Sequence, residues 1–230
     1  MHADSLRSAQ PSAALALLDM VGRAGSELVD GALPVVGRRV RRGQKLFREG
    51  ERLQAIYVVR AGTFKSSLGR DEGGEQVTCF PIAGDLLGFD ALAGGIHPTT
   101  ATALEDGEVF PIPMDRLADP TQAHTAKLVQ KMFELASAEL AREERMMLVV
   151  ANGNSAARVA SFLLHLSQRL LERGYSPAEF ELRMSRSEIG NWLGLAAETV
   201  SRHLTAFRRQ GWIEVHQRRV CLLSFERLQQ

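Results

Sequence analysis

The sequence predicts an α+β fold in three successive parts: a small antiparallel barrel, one long helix, and a helical unit closed by a β-hairpin. Three observations carry this reading. Between Leu33 and Pro120, short apolar runs alternate with glycine-containing breaks. From Thr121 to Val150 there is neither proline nor glycine. From Ser185 onward, two short helical patterns meet at a glycine, and an alternating run follows that reverses at His216–Arg219. The boundaries set by these changes are 1–32 for an N-terminal tail with one or two short helices, 33–120 for the barrel, 121–151 for the long helix and 152–230 for the C-terminal unit.

In the barrel region, strands are expected at Lys45–Phe47, Ala55–Val59, Thr63–Lys65, Gln76–Phe80, Thr99–Ala103 and Glu108–Ile112. The breaks between them include Arg42-Gly43, Ala61-Gly62, Gly73-Gly74 and Gly94-Gly95. Turn signals at intervals of roughly 8–12 residues between short strands indicate a sandwich or barrel. The long helix would reach about 45 Å at about 1.5 Å per residue. Leu128, Met132, Leu135, Leu140 and Met147 are its apolar positions, with charged residues between them. One small barrel cannot cover such a helix, so a remaining apolar stripe suits a second copy in a coiled-coil dimer. A helix lying across its own barrel is the alternative. The expected seam is Met132, Ala136, Leu140, Glu143 and Met147. Glu143 would then face its own copy, and Glu143→Ala is expected to strengthen the dimer.

Asn152-Gly153-Asn154 reads as a hinge. The helix after it, Ala156 to Arg173, carries Val159, Phe162, Leu163, Leu166 and Leu170 on one face and stops at Gly174. Ser185-Arg186-Ser187-Glu188 is a capping box. The helix it starts contains Ile189, Gly190, Trp192 and Leu193, and Gly194 turns the chain into a second helix with Val200, Leu204 and Phe207 inward. Gly190 allows close packing, Gly194 the tight turn, and Val200 locks the pair. This is helix-turn-helix spacing, and the hairpin after Gly211 would be the wing of a winged helix.

The outward face of the second helix is Glu198, Ser201, Arg202 and Thr205. Arg202 can donate two bonds to guanine, Glu198 can accept from cytosine, and Ser201 can meet a base edge or a phosphate. Arg208, Arg209, Arg218 and Arg219 suit phosphate contacts, and Ser185 and Arg186 join the expected DNA-binding set. An (i, i+4) surface ion pair is the alternative reading of Glu198 and Arg202.

Composition sets the limits. The chain has 230 residues, 45% hydrophobic and 24% charged, as expected of a globular protein with a real core. The net charge of +1 gives no bulk attraction to nucleic acid, so binding must rest on a local patch. Arg183 to Arg227 supplies one, with eight arginines and two histidines against four glutamates. A solvated charged face would have the same composition. The two cysteines, Cys79 and Cys221, lie far apart with no CxxC, which excludes a disulfide framework and fits a reducing cytoplasm. No run of about 18 apolar residues exists, so no membrane span is expected. The first residues, with Asp4, Arg7 and Asp19 around a short Ala/Leu stretch, read as an amphipathic or disordered start and not a signal peptide. A cupin-like metal enzyme with an accessory DNA-binding domain is the rival class, but His97 is the only barrel histidine and no HxH, HExxH, GxSxG or GxxxxGK[ST] occurs.

The order of barrel, long helix, hinge and winged helix-turn-helix resembles the Crp/Fnr family of transcription regulators. The most specific stretches are Ala83–Ala91, Gly95–Pro98 and Ile189–Arg202, and they look closer to the Fnr branch. The resemblance implies a cyclic-nucleotide-binding-like β-roll (a double-stranded jelly-roll barrel), a homodimer joined by the long helix, and a palindromic operator on double-stranded DNA. It also implies contact with RNA polymerase, for which the loops 70–74 and 173–177 resemble the family's surfaces. Glu198, Ser201 and Arg202 fill the Glu-x-x-Ser-Arg positions that read a TTGAT-like half-site, with Ala197 where the cyclic-AMP branch has arginine. The chain also departs from the family. Residues 1–32 contain no cysteine and the barrel cluster position is Phe110, so no iron–sulfur cluster is expected. The phosphate-binding arginine is absent from Pro98-Thr99-Thr100-Ala101, which argues against cyclic-nucleotide binding. A haem-linked, nitric-oxide-responsive regulator using His124 or His165 is the alternative; otherwise no cofactor is expected.

Overall fold

The computed structural model describes residues 36–71, 73–117 and 123–229. The expectations for 1–32 and for the His124 side chain lie outside the described residues.

Among the described residues, eight strands form the barrel: β1 (Arg38–Val40), β2 (Lys45–Phe47), β3 (Ala55–Ala61), β4 (Phe64–Gly69), β5 (Glu75–Cys79), β6 (Leu86–Leu87), β7 (Thr100–Ala103) and β8 (Gly107–Pro113). They make two antiparallel sheets, in the orders β1-β8-β3-β6 and β2-β7-β4-β5. Val40, Phe47, Val59, Phe64, Leu87 and Val109 fill the space between the sheets. The run Ile56-Tyr57-Val58-Val59 is continuously apolar because both faces of β3 have apolar neighbours. Val59 and Tyr57 join the inter-sheet core. Ile56 and Val58 face a helix. The expected strands are present with ends shifted by a few residues. Strands β1 and β6 were not expected; β6, with two residues, is too short to show alternation.

After a short helix α1 (Met114–Leu117) comes α2 (Ala123–Asn152). Leu128, Met132 and Leu135 of α2 pack on Ile56, Val58, Phe110 and Ile112. The helix therefore does lie across its own barrel on one face. Met132, 3% exposed, is unavailable as a seam contact, which corrects the sequence expectation at that position. Ala136 is half-buried and lines a cavity beside the barrel, and so is Glu143. On the other face Phe133, Leu140 and Met147 remain exposed at heptad spacing, with Leu148 beside them. Leu140 and Met147 thus stay on the outward stripe. Phe133 replaces Met132 on it, and Glu144, exposed, stands at the register expected for Glu143.

The C-terminal unit holds α3 (Ser155–Glu172), β9 (Glu179–Glu181), α4 (Arg186–Leu193), α5 (Ala197–Arg209), β10 (Ile213–His216), β11 (Arg219–Leu222) and α6 (Phe225–Leu228). Its sheet order is β10-β11-β9. Val159, Phe162, Leu163, Ile189, Leu193, Val200, Leu204, Phe207, Ile213 and Val220 form its core. Val77, Phe80 and Ile82 from the barrel and Met146 from α2 belong to the same apolar cluster, so this unit is packed onto the barrel.

Candidate nucleic-acid interface

Ser185 caps α4. Its hydroxyl accepts from the Glu188 amide at 3.1 Å, and the Glu188 carboxylate accepts from the Ser185 amide at 2.8 Å. Such a cap contributes about 1 kcal/mol. Burial would raise the Glu188 carboxyl, but the Ser185 amide and Lys65, 3.0 Å away, outweigh it and hold the carboxyl below its ordinary range. Gly194 ends α4 in the left-handed region at φ 65. A Cβ on Gly190 would sit 2.4 Å from the Leu195 carbonyl oxygen, so only glycine permits this approach of the turn to the helix.

Helix α5 buries Val200, Leu204 and Phe207 and exposes Glu198, Ser201 and Arg202. No ion pair joins Glu198 to Arg202. Among the described residues Arg202 makes only a 3.4 Å contact to the Thr199 hydroxyl, so both charged ends are available to an outside partner. Thr205 is half-buried, and its hydroxyl donates to the Ser201 carbonyl at 2.9 Å. Arg208 and Arg209 are exposed at the end of the helix. Arg186 and Arg218 form a like-charged pair of neighbours. Burial first, and then Arg218, lowers the Arg186 pKa, a state that an anion would relieve. Arg219 differs, because it is tied to Glu179. The wing turns at Gln217, with φ 57.

Several positioning groups were not anticipated from the sequence. His203 on α5 meets the Ser155 hydroxyl at 2.8 Å, and Arg158 donates to the carbonyls of Gly153 and Leu193. Both ties fix the helix-turn-helix to the hinge end of α3. Asn191 of α4 completes the edge of β5: its side chain accepts from the Val77 amide at 2.6 Å and donates to the Glu75 carbonyl at 2.8 Å. The indole of Trp192 donates to the Thr78 carbonyl at 2.8 Å. Arg169 of α3 and Arg173, just past its end, clamp Asp85 in the turn before β6, and Arg169 also donates to the Phe80 carbonyl. No local pattern announces the contacts to the barrel, since their partners lie 84 to 116 residues apart.

Comparison with known proteins gives this geometry its context. A cyclic nucleotide-binding domain profile matches residues 37–124, and a Crp-like helix-turn-helix domain profile matches residues 157–230. The fumarate and nitrate reduction regulatory protein of Escherichia coli is 43% identical over 76% of this chain and 70% of that protein. The Vibrio cholerae protein of that name is 41% identical over 82% of this chain and 75% of that protein. The chain belongs to the Crp/Fnr family. Among solved structures, FixK2 of Bradyrhizobium japonicum superposes with a TM-score of 0.75 at 29% identity, covering 85% of this chain and 96% of that one. A CRP-family regulator of Thermus thermophilus, 23% identical with a TM-score of 0.66 over 83% of this chain and 94% of that one, shares the fold. This Crp/Fnr protein is a DNA-binding transcription regulator and not an enzyme.

Between the regulator's barrel and α2 lies an open pocket of about 550 Å³, lined by Cys79, Phe89, Phe133, Leu135, Glu139 and Glu143 among others. One Glu143 oxygen is buried there without a hydrogen-bond partner. Burial, and then Glu139, pushes the Glu143 carboxyl up to about 7. Burial pushes the Cys79 thiol up to about 12. Arg142, also on the wall, is committed to Glu139 and Glu172. Thr99 donates to Asp90 at 3.0 Å. Phe110 is buried in the barrel, with the Arg60 guanidinium 5.5 Å above its ring. His165 stands against Trp192 at 5.8 Å, and burial followed by Arg169 and Arg142 lowers its pKa to about 3.

The donor set does not fit an iron–sulfur cluster of the Fnr kind. The chain has two thiols, one on β5 and one on β11, and an apolar ring at the barrel position. No group of three or more metal-ligating side chains occurs among the described residues, and no helix there is long and apolar enough to cross a membrane.

Proposed function

We propose that this regulator works as a cytoplasmic homodimer in which each α5 reads one half of a palindrome of TTGAT and ATCAA separated by four base pairs. The observation that carries this reading is the exposed face of α5, where Glu198, Ser201 and Arg202 stand unpaired above a capped and glycine-locked helix-turn-helix. Arg186 and Arg218 hold the flanking phosphates, with Arg208 and Arg209 at the helix end. The stripe of Phe133, Leu140 and Met147 on α2 joins the two copies. A dimer supplies two recognition helices related by two-fold symmetry, which is what a palindrome requires.

The regulator acts without an iron–sulfur cluster and without a cyclic nucleotide. A cyclic nucleotide would put a phosphate into a cavity walled by Glu139 and Glu143, whose one arginine is already paired. The output is activation through RNA polymerase, with the loop 173–177, where Tyr175 is exposed, as a contact surface. The test is a mobility-shift titration of the full chain with the palindrome and with scrambled DNA. Arg202→Ala is expected to cost about 1–3 kcal/mol on the palindrome and to relax discrimination at its guanine. Equal affinity of the native protein for scrambled DNA would refute the reading.

A further inference from the structure

Helix α5 is seated in the reading unit by its apolar stripe of Val200, Leu204 and Phe207. Apolar packing is non-directional and leaves a helix some freedom to roll about its own axis. The polar side chains of α5 mostly bond within the helix: Arg202 touches Thr199, and Thr205 donates to the Ser201 carbonyl. Among the described residues, one side-chain hydrogen bond leaves the helix, where His203 meets the Ser155 hydroxyl at 2.8 Å. At about 100° per residue, His203 falls on the flank of α5, between the buried stripe and the outward face of Glu198, Ser201 and Arg202. Its ring lies 6.2 Å from that of Phe207.

The other end of this bond is a fixed anchor. Ser155 opens α3 directly after the Asn152-Gly153-Asn154 corner. The Asn154 side chain accepts from the Ala157 amide at 2.9 Å. Arg158 donates to the Gly153 carbonyl at 2.9 Å and to the Leu193 carbonyl at 3.3 Å. Met146, Val149 and Val150 at the end of α2 join the same apolar core as α3. The corner is stapled on both sides, so Ser155 moves with the end of the long helix. Burial first, and then Arg202, holds the His203 ring below its ordinary pKa, so the imidazole is neutral at neutral pH. A neutral ring can accept from a hydroxyl or donate to it.

We propose that His203 is a positioning residue for base reading: through Ser155 it fixes the roll of α5 against the corner between α2 and α3, and so sets the discrimination made by Arg202 and Glu198. The proposal rests on α5 as the reading head. A roll of about 10° would carry a guanidinium about 8 Å from the helix axis through about 1.4 Å. Paired bonds to one guanine tolerate about 0.5 Å. Phosphate contacts, which carry non-specific binding, do not depend on a fixed roll. The bond should therefore act on sequence preference and leave non-specific affinity alone.

The experiment is fluorescence anisotropy of the full chain with three duplexes: the palindrome, the palindrome with the G·C pair of one half-site replaced by A·T, and scrambled DNA. The native protein is expected to bind the replaced duplex about thirtyfold more weakly than the palindrome. His203→Ala should bind scrambled DNA as the native protein does, bind the palindrome about tenfold more weakly, and lose less than about fivefold on the replaced duplex. Ser155→Ala should do the same, and it carries the comparison if His203→Ala lowers the thermal melt. The double variant should lose no more than either single change, because both remove one bond. His203→Gln, whose amide can reach the hydroxyl, should stay within about twofold of the native protein. No loss on the palindrome, an equal loss on palindrome and scrambled DNA, a full penalty for the replaced pair in the alanine variants, additive losses in the double variant, or failure of glutamine to restore binding overturns the proposal. Failure of the native protein to prefer the palindrome over scrambled DNA refutes the reading-head assignment instead, and the positioning role falls with it.

Discussion

Replacing Asp85 by alanine would leave two guanidinium groups buried without a counter-charge. The side chains of Arg169, Arg173 and Asp85 are 3%, 2% and 8% exposed, so water cannot substitute for the lost carboxylate. Removing one partner of a buried pair costs about 3–5 kcal/mol. Here two cations lose their partner, but Arg169 keeps the Phe80 carbonyl, and Arg173 keeps the carbonyls of Ala83 and Arg169. These bonds limit the damage, and we expect about 4 kcal/mol, against a total stability of about 5–15 kcal/mol for a typical domain. The clamp joins α3 to the barrel, so the loss should appear as undocking of the DNA-reading unit. Trp192 reports on that event, because its indole is bonded to Thr78 at the junction. In a Trp212→Phe background, Asp85→Ala should shift Trp192 emission to the red and lower the denaturation midpoint. Adding Arg173→Met, which removes one orphaned cation, should restore part of the loss. There is also an acid signature. Burial alone would raise the Asp85 carboxyl, but Arg169, then Arg173 and the Ile82 amide, hold it below the ordinary range. A depressed carboxyl contributes stability that is present above its unfolded value, about 3.9, and is lost as pH falls through the folded value. The native protein should therefore lose docking in strong acid through a component that Asp85→Ala lacks. A cost below about 1 kcal/mol with unchanged Trp192 emission would show that the clamp is not desolvated in solution, and would refute this reasoning.

Two further outcomes test the junction and the cavity. Asn191→Ala leaves the Val77 amide, at a residue 2% exposed, without its acceptor. The expected cost is about 1–3 kcal/mol, with faster hydrogen exchange at Val77, and unaltered protection there would contradict the role given to Asn191. Glu143→Gln removes a carboxyl raised from 4.5 to about 7. A raised carboxyl holds its proton more tightly when folded, so its contribution is full below about 4.5 and is lost as pH rises toward 7. Urea unfolding should show native stability falling by about 3 kcal/mol relative to the variant across that window, and parallel pH profiles would count against a buried Glu143.

The reading unit was legible in the sequence because its constraints are local. A cap needs Ser185 and Glu188 three residues apart, the turn needs glycine at 190 and 194, and an amphipathic helix shows its buried face at Val200, Leu204 and Phe207. Each requirement is met by neighbours in the chain. The long helix was legible in extent but not in rotation. Met132 and Phe133 are both apolar and adjacent, and periodicity alone did not decide which of them would face the barrel. The structure buries Met132 on Ile56 and Phe110 and leaves Phe133 outside. A strand of two residues, such as β6, carries no period at all.

The sequence by itself determined the order of barrel, helix and winged helix-turn-helix, the outward face of α5 at Glu198, Ser201 and Arg202, and the count of two thiols. Only the tertiary structure decided how the parts are joined. It set Asn191 on the edge of β5, Asp85 between two arginines at the end of α3, and a half-buried carboxylate in a pocket beside α2. Backbone dihedrals, caps and amphipathic periods are satisfied within a few residues, so they leave a pattern in the chain. Docking depends on the shape and charge of surfaces brought together from about a hundred residues apart, and such matches leave no mark in either stretch alone.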